Sequence, residues 1–403
     1  MKKQITPTII GGETARGFDK VSRVFEKIFS EHGELGASVA VYFRGQKVVD
    51  LWGGVKDVST RQPWQADTLC PVFSTTKGVS ALTIALAVSK GLLSYDMRIA
   101  ECWPEFALNG KESITLRQLL NHQAGLSRVD EVLSMPILAD PDTLAKILAR
   151  QTPAWTPGAY QGYHCWTQGF YLSEIIRRAD PKKRRLGVYF REEIAEPLGL
   201  DFYIGLPDEV PDERIANLLP FHPVELALNM DKMPAGMVLS LMNPFSLPSR
   251  SMMNPPVCAK HNNFNKREVR SLEIPSGNGI GSARAIAKLY GEFAGGGKAL
   301  RINPQVIDKL EGPAVAPACG HFKDLVFKMD MPFSYGVWKP WPRFPFAGGR
   351  GYGVWGAGGS CGFADPAHQL GFAYVPNKMG LFPMDDPREH YLRTAVYECI
   401  KEM

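Results

Sequence analysis

The chain has little of what marks several protein classes. Its seven cysteines are odd in number and widely spaced, with no Cys-x-x-Cys pair, so no disulfide framework is indicated and free thiols in a reducing compartment are expected. After Met1-Lys2-Lys3-Gln4, the residues Thr6, Pro7, Thr8, Gly11 and Gly12 interrupt the chain before an apolar stretch of signal-peptide length develops. No later run is long and apolar enough to span a membrane. These absences point to cytoplasmic residence without a membrane partner, or to the periplasm if an upstream signal has been removed. The net charge of +5 is small, and Lys and Arg are scattered apart from Lys182-Lys183-Arg184-Arg185, so nucleic acid is not implied. That run is expected to cap the helix ending near Arg178. The eight histidines include no His-Glu-x-x-His, and Cys258-x-x-His261 alone is too little for zinc; no metal and no organic cofactor is implied.

What is present reads as a folded, enzyme-sized protein. With 403 residues, 45% hydrophobic and 22% charged, it can bury a sizeable core with a cleft between lobes. Phe18, Val21, Phe25 and Ile28 recur at helical spacing, predicting a helix from about Asp19 to His32 ended by Gly33. Ala37–Phe43 and Gln46–Trp52 predict strands joined by a tight turn at Arg44-Gly45. The alanine-rich run from Ser74 to Lys90, closed by Gly91, predicts a mostly buried helix beginning at or just before Ser74. From about Leu92 to Pro275, helical segments such as Thr143–Arg150 and Gln168–Arg178 alternate with Pro-rich stretches. Strand signals then return: Ser360–Ala364 and Gln369–Val375 flank Asp365-Pro366-Ala367-His368 as a second hairpin, and Tyr391, Leu392, Ala395, Val396, Cys399 and Ile400 mark a closing helix. The expected fold class is α/β (α+β), an antiparallel sheet flanked by terminal helices. Residues 1–91 and 276–403 would form that lobe, and residues 92–275 an inserted, mostly helical one. Met230, Met233, Met237, Met242, Met252 and Met253 crowd one stretch, where thioethers either line an adaptable pocket or fill core gaps.

Ser74-Thr75-Thr76-Lys77 is the only Ser-x-x-Lys in the chain. Three residues along a helix rise only about 4.5 Å, so both side chains share a face and the lysine can reach the hydroxyl. A serine hydroxyl attacks a carbonyl only when a base removes its proton, and lysine serves only if burial makes its own proton labile. Lowering a lysine from about 10.4 to about 7.5 takes roughly 4 kcal/mol, which desolvation at the foot of a cleft supplies. Spacing alone favours the plainer reading, an exposed first-turn serine beside a solvated lysine.

The rest of the chain shifts that balance. Phe73-Ser74-Thr75-Thr76-Lys77, Leu119-Leu120-Asn121-His122-Gln123-Ala124-Gly125-Leu126, Trp155-Thr156-Pro157-Gly158, Tyr163-His164-Cys165 and Trp355-Gly356-Ala357-Gly358-Gly359-Ser360 follow one another in order. In order and separation they resemble the motifs of the serine β-lactamase, DD-peptidase (penicillin-binding protein-like) and family VIII carboxylesterase superfamily. The resemblance implies a β-lactamase/transpeptidase-like fold, Ser74 as nucleophile, and Lys77 and Tyr163 as proton-transfer groups. Tyr163 would have its pKa lowered by the neighbouring ammonium and titrate with Lys77 as a coupled pair. It also places the backbone N–H groups of Ala357 and Ser74 in an oxyanion hole on a strand edge eased by Gly356. Val354 and Cys165 stand where β-lactamase relatives carry a cation and an amide, which turns the expected substrate from lactams to esters. Trp155, Trp166, Trp355 and the methionine-rich stretch are candidate pocket walls.

Rival motifs are weaker. Gly358-Gly359-Ser360-Cys361-Gly362 fits a nucleophile elbow, but only 43 residues follow and a strand comes next where a helix is needed, so Ser360 is set aside. Gly351-Tyr352-Gly353-Val354-Trp355-Gly356 opens no helix, and Gly295-Gly296-Gly297-Lys298 lacks a phosphate loop's spacing. The expected activity is hydrolysis of a small-molecule ester or amide, as a carboxylesterase with an acyl-enzyme on Ser74. β-Lactamase, D-aminopeptidase or acyltransferase activity, and a catalytically silent peptide-binding or scaffold protein, are the alternatives.

Overall fold

The computed structural model describes residues 9–221, 236, 240–382 and 384–403. Arg44 and Gly45 both adopt positive φ, 50° and 77°, the conformation that lets a two-residue turn match the twist of a hairpin. They join β2 (Gly36–Phe43) to β3 (Gln46–Asp57), with Phe43 opposite Gln46. β1 (Ile10–Thr14) lies along the outer edge of β3. The other edge of β2 takes a strand from the opposite end of the chain, so sheet formation closes the termini on each other.

The C-terminal strands are β4 (Phe333–Ser334), β5 (Val337–Trp338), β6 (Tyr352–Trp355), β7 (Cys361–Asp365) and β8 (Leu370–Pro376). The second hairpin joins β7 to β8, and β8 pairs with β2 from Leu370 opposite Phe43 to Pro376 opposite Ala37. Among the described residues the sheet is nine-stranded and antiparallel, in the order β1-β3-β2-β8-β7-β6-β5-β4, with Gln62–Pro63 added on β3. Cys70–Pro71, Gly279–Gly281 and Phe202–Ile204 make a separate three-stranded sheet. Phe202–Ile204 carries no alternation long enough to announce a strand.

Helices α1 (Asp19–Glu31), α2 (Thr75–Ser89), α3 (Thr167–Ala179), α4 (Ala283–Ala294) and α5 (Pro387–Lys401) position the site. Val21, Phe25 and Ile28 of α1 share a core with Val39, Leu51, Phe372 and Leu392, so the two terminal helices cover one face. α4 covers the other face, in a core with α2 and α3. α2 is buried from Thr75 to Ala87, as its near-continuous apolar run requires, and ends in a Schellman turn: the Gly91 and Leu92 N–H groups donate to the Val88 and Ala87 carbonyls, both at 3.0 Å. Lys183 Nζ donates to the Arg178 carbonyl at 3.1 Å while Arg184 pairs with Asp180, Glu192 and Glu193, so the basic run is a helix cap and ion-pair cluster.

α4 approaches the sheet at glycine. A Cβ at Gly371 would lie 2.2 Å from the Ala287 oxygen and 2.2 Å from the Gly291 nitrogen, both backbone atoms with no room to yield. Gly371→Ala is expected to cost about 3 kcal/mol and to lower the melting temperature by about 5 °C in scanning fluorimetry. All seven cysteines are free thiols. No helix among the described residues is long and apolar enough to cross a membrane.

Candidate active site

The chain leaves Cys70–Pro71, turns at Phe73 with a φ of 44°, and enters α2 with Ser74 at its N-cap. A positive φ at a bulky residue is strained, and here it is held by Thr76, whose hydroxyl donates to the Phe73 carbonyl at 2.5 Å and accepts the Gly279 N–H at 2.9 Å. One turn on, Lys77 Nζ lies 3.3 Å from Ser74 Oγ. The amine also donates to the carbonyls of Cys165 at 2.6 Å and Ser276 at 2.9 Å. Only 2% of Lys77 is exposed and no carboxylate pairs with it among the described residues, so desolvation lowers its pKa to about 7, against a small opposing effect of Cys165. These two carbonyls belong to the peptide backbone and carry no residue signature, which is why sequence reasoning missed them.

Tyr163 completes the group. Its ring centroid is 4.7 Å from Lys77 Nζ, and it borders the same cavity as Ser74. The expected lowering of its pKa does not occur: burial pushes the phenol well up, outweighing the opposing influence of the Ser74 hydroxyl. The physical reason is shared burial, which disfavours phenolate and ammonium together. His122 and His164 pack behind: His122 Nδ1 accepts the His164 N–H at 3.0 Å, and His164 Nε2 accepts the Leu126 N–H at 3.1 Å. Burial lowers both imidazoles, His164 to about 3, so the pair is a neutral clamp on the Tyr163 segment. Asp324, also missed, is a fully buried carboxylate whose Oδ1 accepts the backbone N–H groups of Val326 and Phe327, both at 2.8 Å.

Facing Ser74, β6 ends at Trp355 and the chain turns through Gly356 and Ala357. The Ser74 and Ala357 N–H groups have no acceptor among the described residues, leaving two donors for a developing oxyanion. Ala357 borders the cavity, whereas Gly356 lies behind it: a Cβ there would sit 2.2 Å from the Val72 oxygen, so glycine lets the strand end press against the backbone leading to Ser74. Ser360 is buried, donates to the Val72 carbonyl at 2.7 Å and shares a hydrogen bond with Thr75. His368 bonds to Asp365 in the β7–β8 turn and not to Ser360.

Ser74, Tyr163, Cys165 and Ala357 open into a cavity of about 410 Å³. Trp166, Trp355, Met252 and Met253 line it as expected; Trp338, Phe327, Met329, Met331 and Met384 join them unforeseen. Trp166 is fixed by its indole N–H, which donates to the Met252 carbonyl at 2.9 Å. Trp155 is not a wall; its N–H donates to the Tyr160 carbonyl and its ring covers Gly162. Met242 is 76% exposed and off the cavity, and Met230, Met233 and Met237 lie outside the described residues. Val354 requires a second correction. Strand alternation turns it away from the cavity, onto α2 at Gly78, and aims Trp355 inward. No Lys, Arg, Asp or Glu lines the cavity among the described residues. His261 lines it, with burial lowering its pKa and favouring the neutral ring. No cluster of three or more His, Cys, Asp or Glu suited to a metal occurs among the described residues.

This geometry has relatives. The Beta-lactamase family model matches residues 21–397. The chain is 33% identical over 391 residues to the esterase/beta-lactamase LipL of Mycobacterium tuberculosis, covering 96% of this chain and 86% of that one. A family VIII carboxylesterase superposes with a TM-score of 0.84 at 34% identity, covering 97% of this chain and all of that one. A penicillin-binding protein homologue from Caulobacter crescentus does so with a TM-score of 0.82 at 37% identity over 97% of this chain and all of that one. The expected fold class therefore holds, and the chain belongs to the beta-lactamase family.

Proposed function

We propose that the chain hydrolyses neutral carboxylic esters through an acyl-enzyme on Ser74, with Lys77 as the base. The observation that carries this reading is the buried Lys77 amine 3.3 Å from the Oγ of Ser74, which itself opens onto a cavity without a charged wall. Neutral Lys77 takes the hydroxyl proton as Ser74 Oγ bonds to the ester carbonyl. The oxyanion that forms is held by the Ser74 and Ala357 N–H groups. Tyr163, kept a neutral phenol by burial, gives its proton to the departing alkoxide and recovers one from the Lys77 ammonium. Water then attacks the acyl group, its proton passing to Lys77 and on to Ser74 Oγ as the acid leaves.

LipL is described as both an esterase and a beta-lactamase. Support for the ester reading here is the lining: a β-lactam carboxylate would enter a wall of Trp, Phe and Met with nothing to pair it. Side-by-side assays are expected to give a kcat/KM for p-nitrophenyl butyrate about a hundredfold or more above that for a chromogenic cephalosporin, an ion-pair's worth of discrimination. Preferential cephalosporin turnover would refute the substrate class.

The pH dependence has a defined sign. The base must be neutral, and with a pKa of about 7 its neutral fraction rises from about a tenth at pH 6 to about nine-tenths at pH 8. The kcat/KM is therefore expected to climb about tenfold over that interval and then level off, read from a pH–rate profile with a neutral ester.

A further inference from the structure

The turn that carries Ala357 is closed by two backbone hydrogen bonds of its own, Gly356 N–H to the Ser360 carbonyl at 2.8 Å and Gly359 N–H to the Gly356 carbonyl at 3.1 Å, but it has few side chains to brace it. Gly356, Gly358 and Gly359 surround that residue, and Gly358 and Gly359 sit at φ 89° and 102°. Three glycines make such a segment costly to order, whereas an oxyanion hole works only when its donors are fixed before charge develops.

Arg388, in the first turn of α5, reaches this turn from behind. Its Nη2 donates to the Gly358 carbonyl at 3.1 Å, the same oxygen that accepts the Gly380 N–H at 2.9 Å. Nη1 donates to the Lys378 carbonyl at 2.9 Å and to Glu34 Oε2 at 2.8 Å, and Nε and Nη2 fork onto Asp386 at 2.9 and 2.8 Å. Glu34 in turn accepts the Leu35 N–H at 2.8 Å at the entry to β2, and the Tyr374 hydroxyl of β8. The three charged side chains are 6%, 0% and 3% exposed for Arg388, Glu34 and Asp386. Buried ion clusters seldom stabilise more than apolar packing would, but a guanidinium with every donor engaged fixes geometry in several directions at once. Here those directions join two strands of the sheet, the helix start and the glycine turn.

We propose that Arg388 is a positioning residue that holds the Gly356–Ser360 turn, and with it the Ala357 amide, in oxyanion-binding geometry. The inference rests on the assignment of Ser74 and Ala357 above. It is tested by measuring kcat and KM for p-nitrophenyl butyrate, and the rate at which a p-nitrophenyl phosphonate modifies Ser74, in the wild type, Arg388→Lys, Glu34→Gln and Arg184→Gln. Lysine keeps the charge facing Glu34 and Asp386 but loses the fork that reaches Gly358. In Arg388→Lys, kcat and the phosphonate rate are expected to fall together by about thirtyfold, part of the loss seen when an oxyanion donor is removed outright, with KM unchanged within about twofold. Glu34→Gln, which is isosteric, is expected to lower both rates by about fivefold and carries the test if Arg388→Lys does not fold. Arg184→Gln breaks a comparable ion cluster beside α3 and is expected to lower the melting temperature without changing either rate. Folded Arg388→Lys or Glu34→Gln with wild-type rates, or rates that fall equally in Arg184→Gln, would overturn the proposal alone. Failure of the wild type to form a Ser74 adduct would overturn the nucleophile assignment and this inference with it.

Discussion

Lys77→Met is expected to lower kcat/KM for p-nitrophenyl butyrate by about 10³- to 10⁴-fold while leaving a folded protein, since a positioned general base accounts for up to that range. The substitution keeps the length of the side chain and removes its proton chemistry. Its stability effects oppose each other. Holding the lysine near 7 rather than at 10.5 costs the native state about 4 kcal/mol at neutral pH. Removing the amine relieves that cost but strands the Cys165 and Ser276 carbonyls, at about 1–3 kcal/mol each. The sum is near zero, so inactivity will not be unfolding in disguise. The sign of the linkage offers a check. Between about pH 7 and 10.5 the unfolded chain binds the extra proton, so wild-type stability rises with pH across that window. Urea midpoints at pH 7 and pH 9 are expected to show that lysine-dependent rise in the wild type and its loss in Lys77→Met. An active Lys77→Met would move the base elsewhere, with Tyr163 as the remaining group in reach of Ser74.

The larger effect is expected of Ser74→Ala: a fall in kcat of about 10⁵-fold or more, to the residual rate that binding and the oxyanion donors sustain without a nucleophile. Because Ser74 sits at a helix N-cap without a side-chain capping bond, and is only partly buried, the alanine variant should melt within about 1 °C of the wild type. Burst kinetics give the companion readout: a rapid stoichiometric release of p-nitrophenol in the wild type, if deacylation is slow, and none in Ser74→Ala.

Much of this architecture was legible because local rules agreed with the global fold. The Arg44-Gly45 turn, the apolar run of α2 closed by Gly91, and the second hairpin each carry their own signal, and the observed elements lie within a few residues of those expected, β3 excepted, which runs on to Asp57. What was lost depended on contacts between distant segments or on a single-residue register. Val354 stands where relatives carry a cation, but a strand changes face at every residue, and the side chain that lines the cavity is Trp355. The direction of the Tyr163 shift required knowing its burial. Met329, Met331 and Met384 carry no local sign of lining a cavity, and Arg388 looks like an ordinary helix arginine until the sheet brings Glu34 and Gly358 against it. Backbone carbonyls aimed at an amine, as at Cys165 and Ser276, are visible only in three dimensions.

Everything proposed here turns on Ser74 as the acyl-accepting nucleophile, activated by the buried Lys77. Intact-mass analysis after exposure to a p-nitrophenyl alkylphosphonate tests it most directly, followed by peptide mapping of the adduct. A single phosphonyl adduct is expected on the wild type, mapped to Ser74, absent from Ser74→Ala and slowed by at least about 10²-fold in Lys77→Met. A wild-type protein without an adduct, or an adduct that persists unchanged in Ser74→Ala, would contradict it.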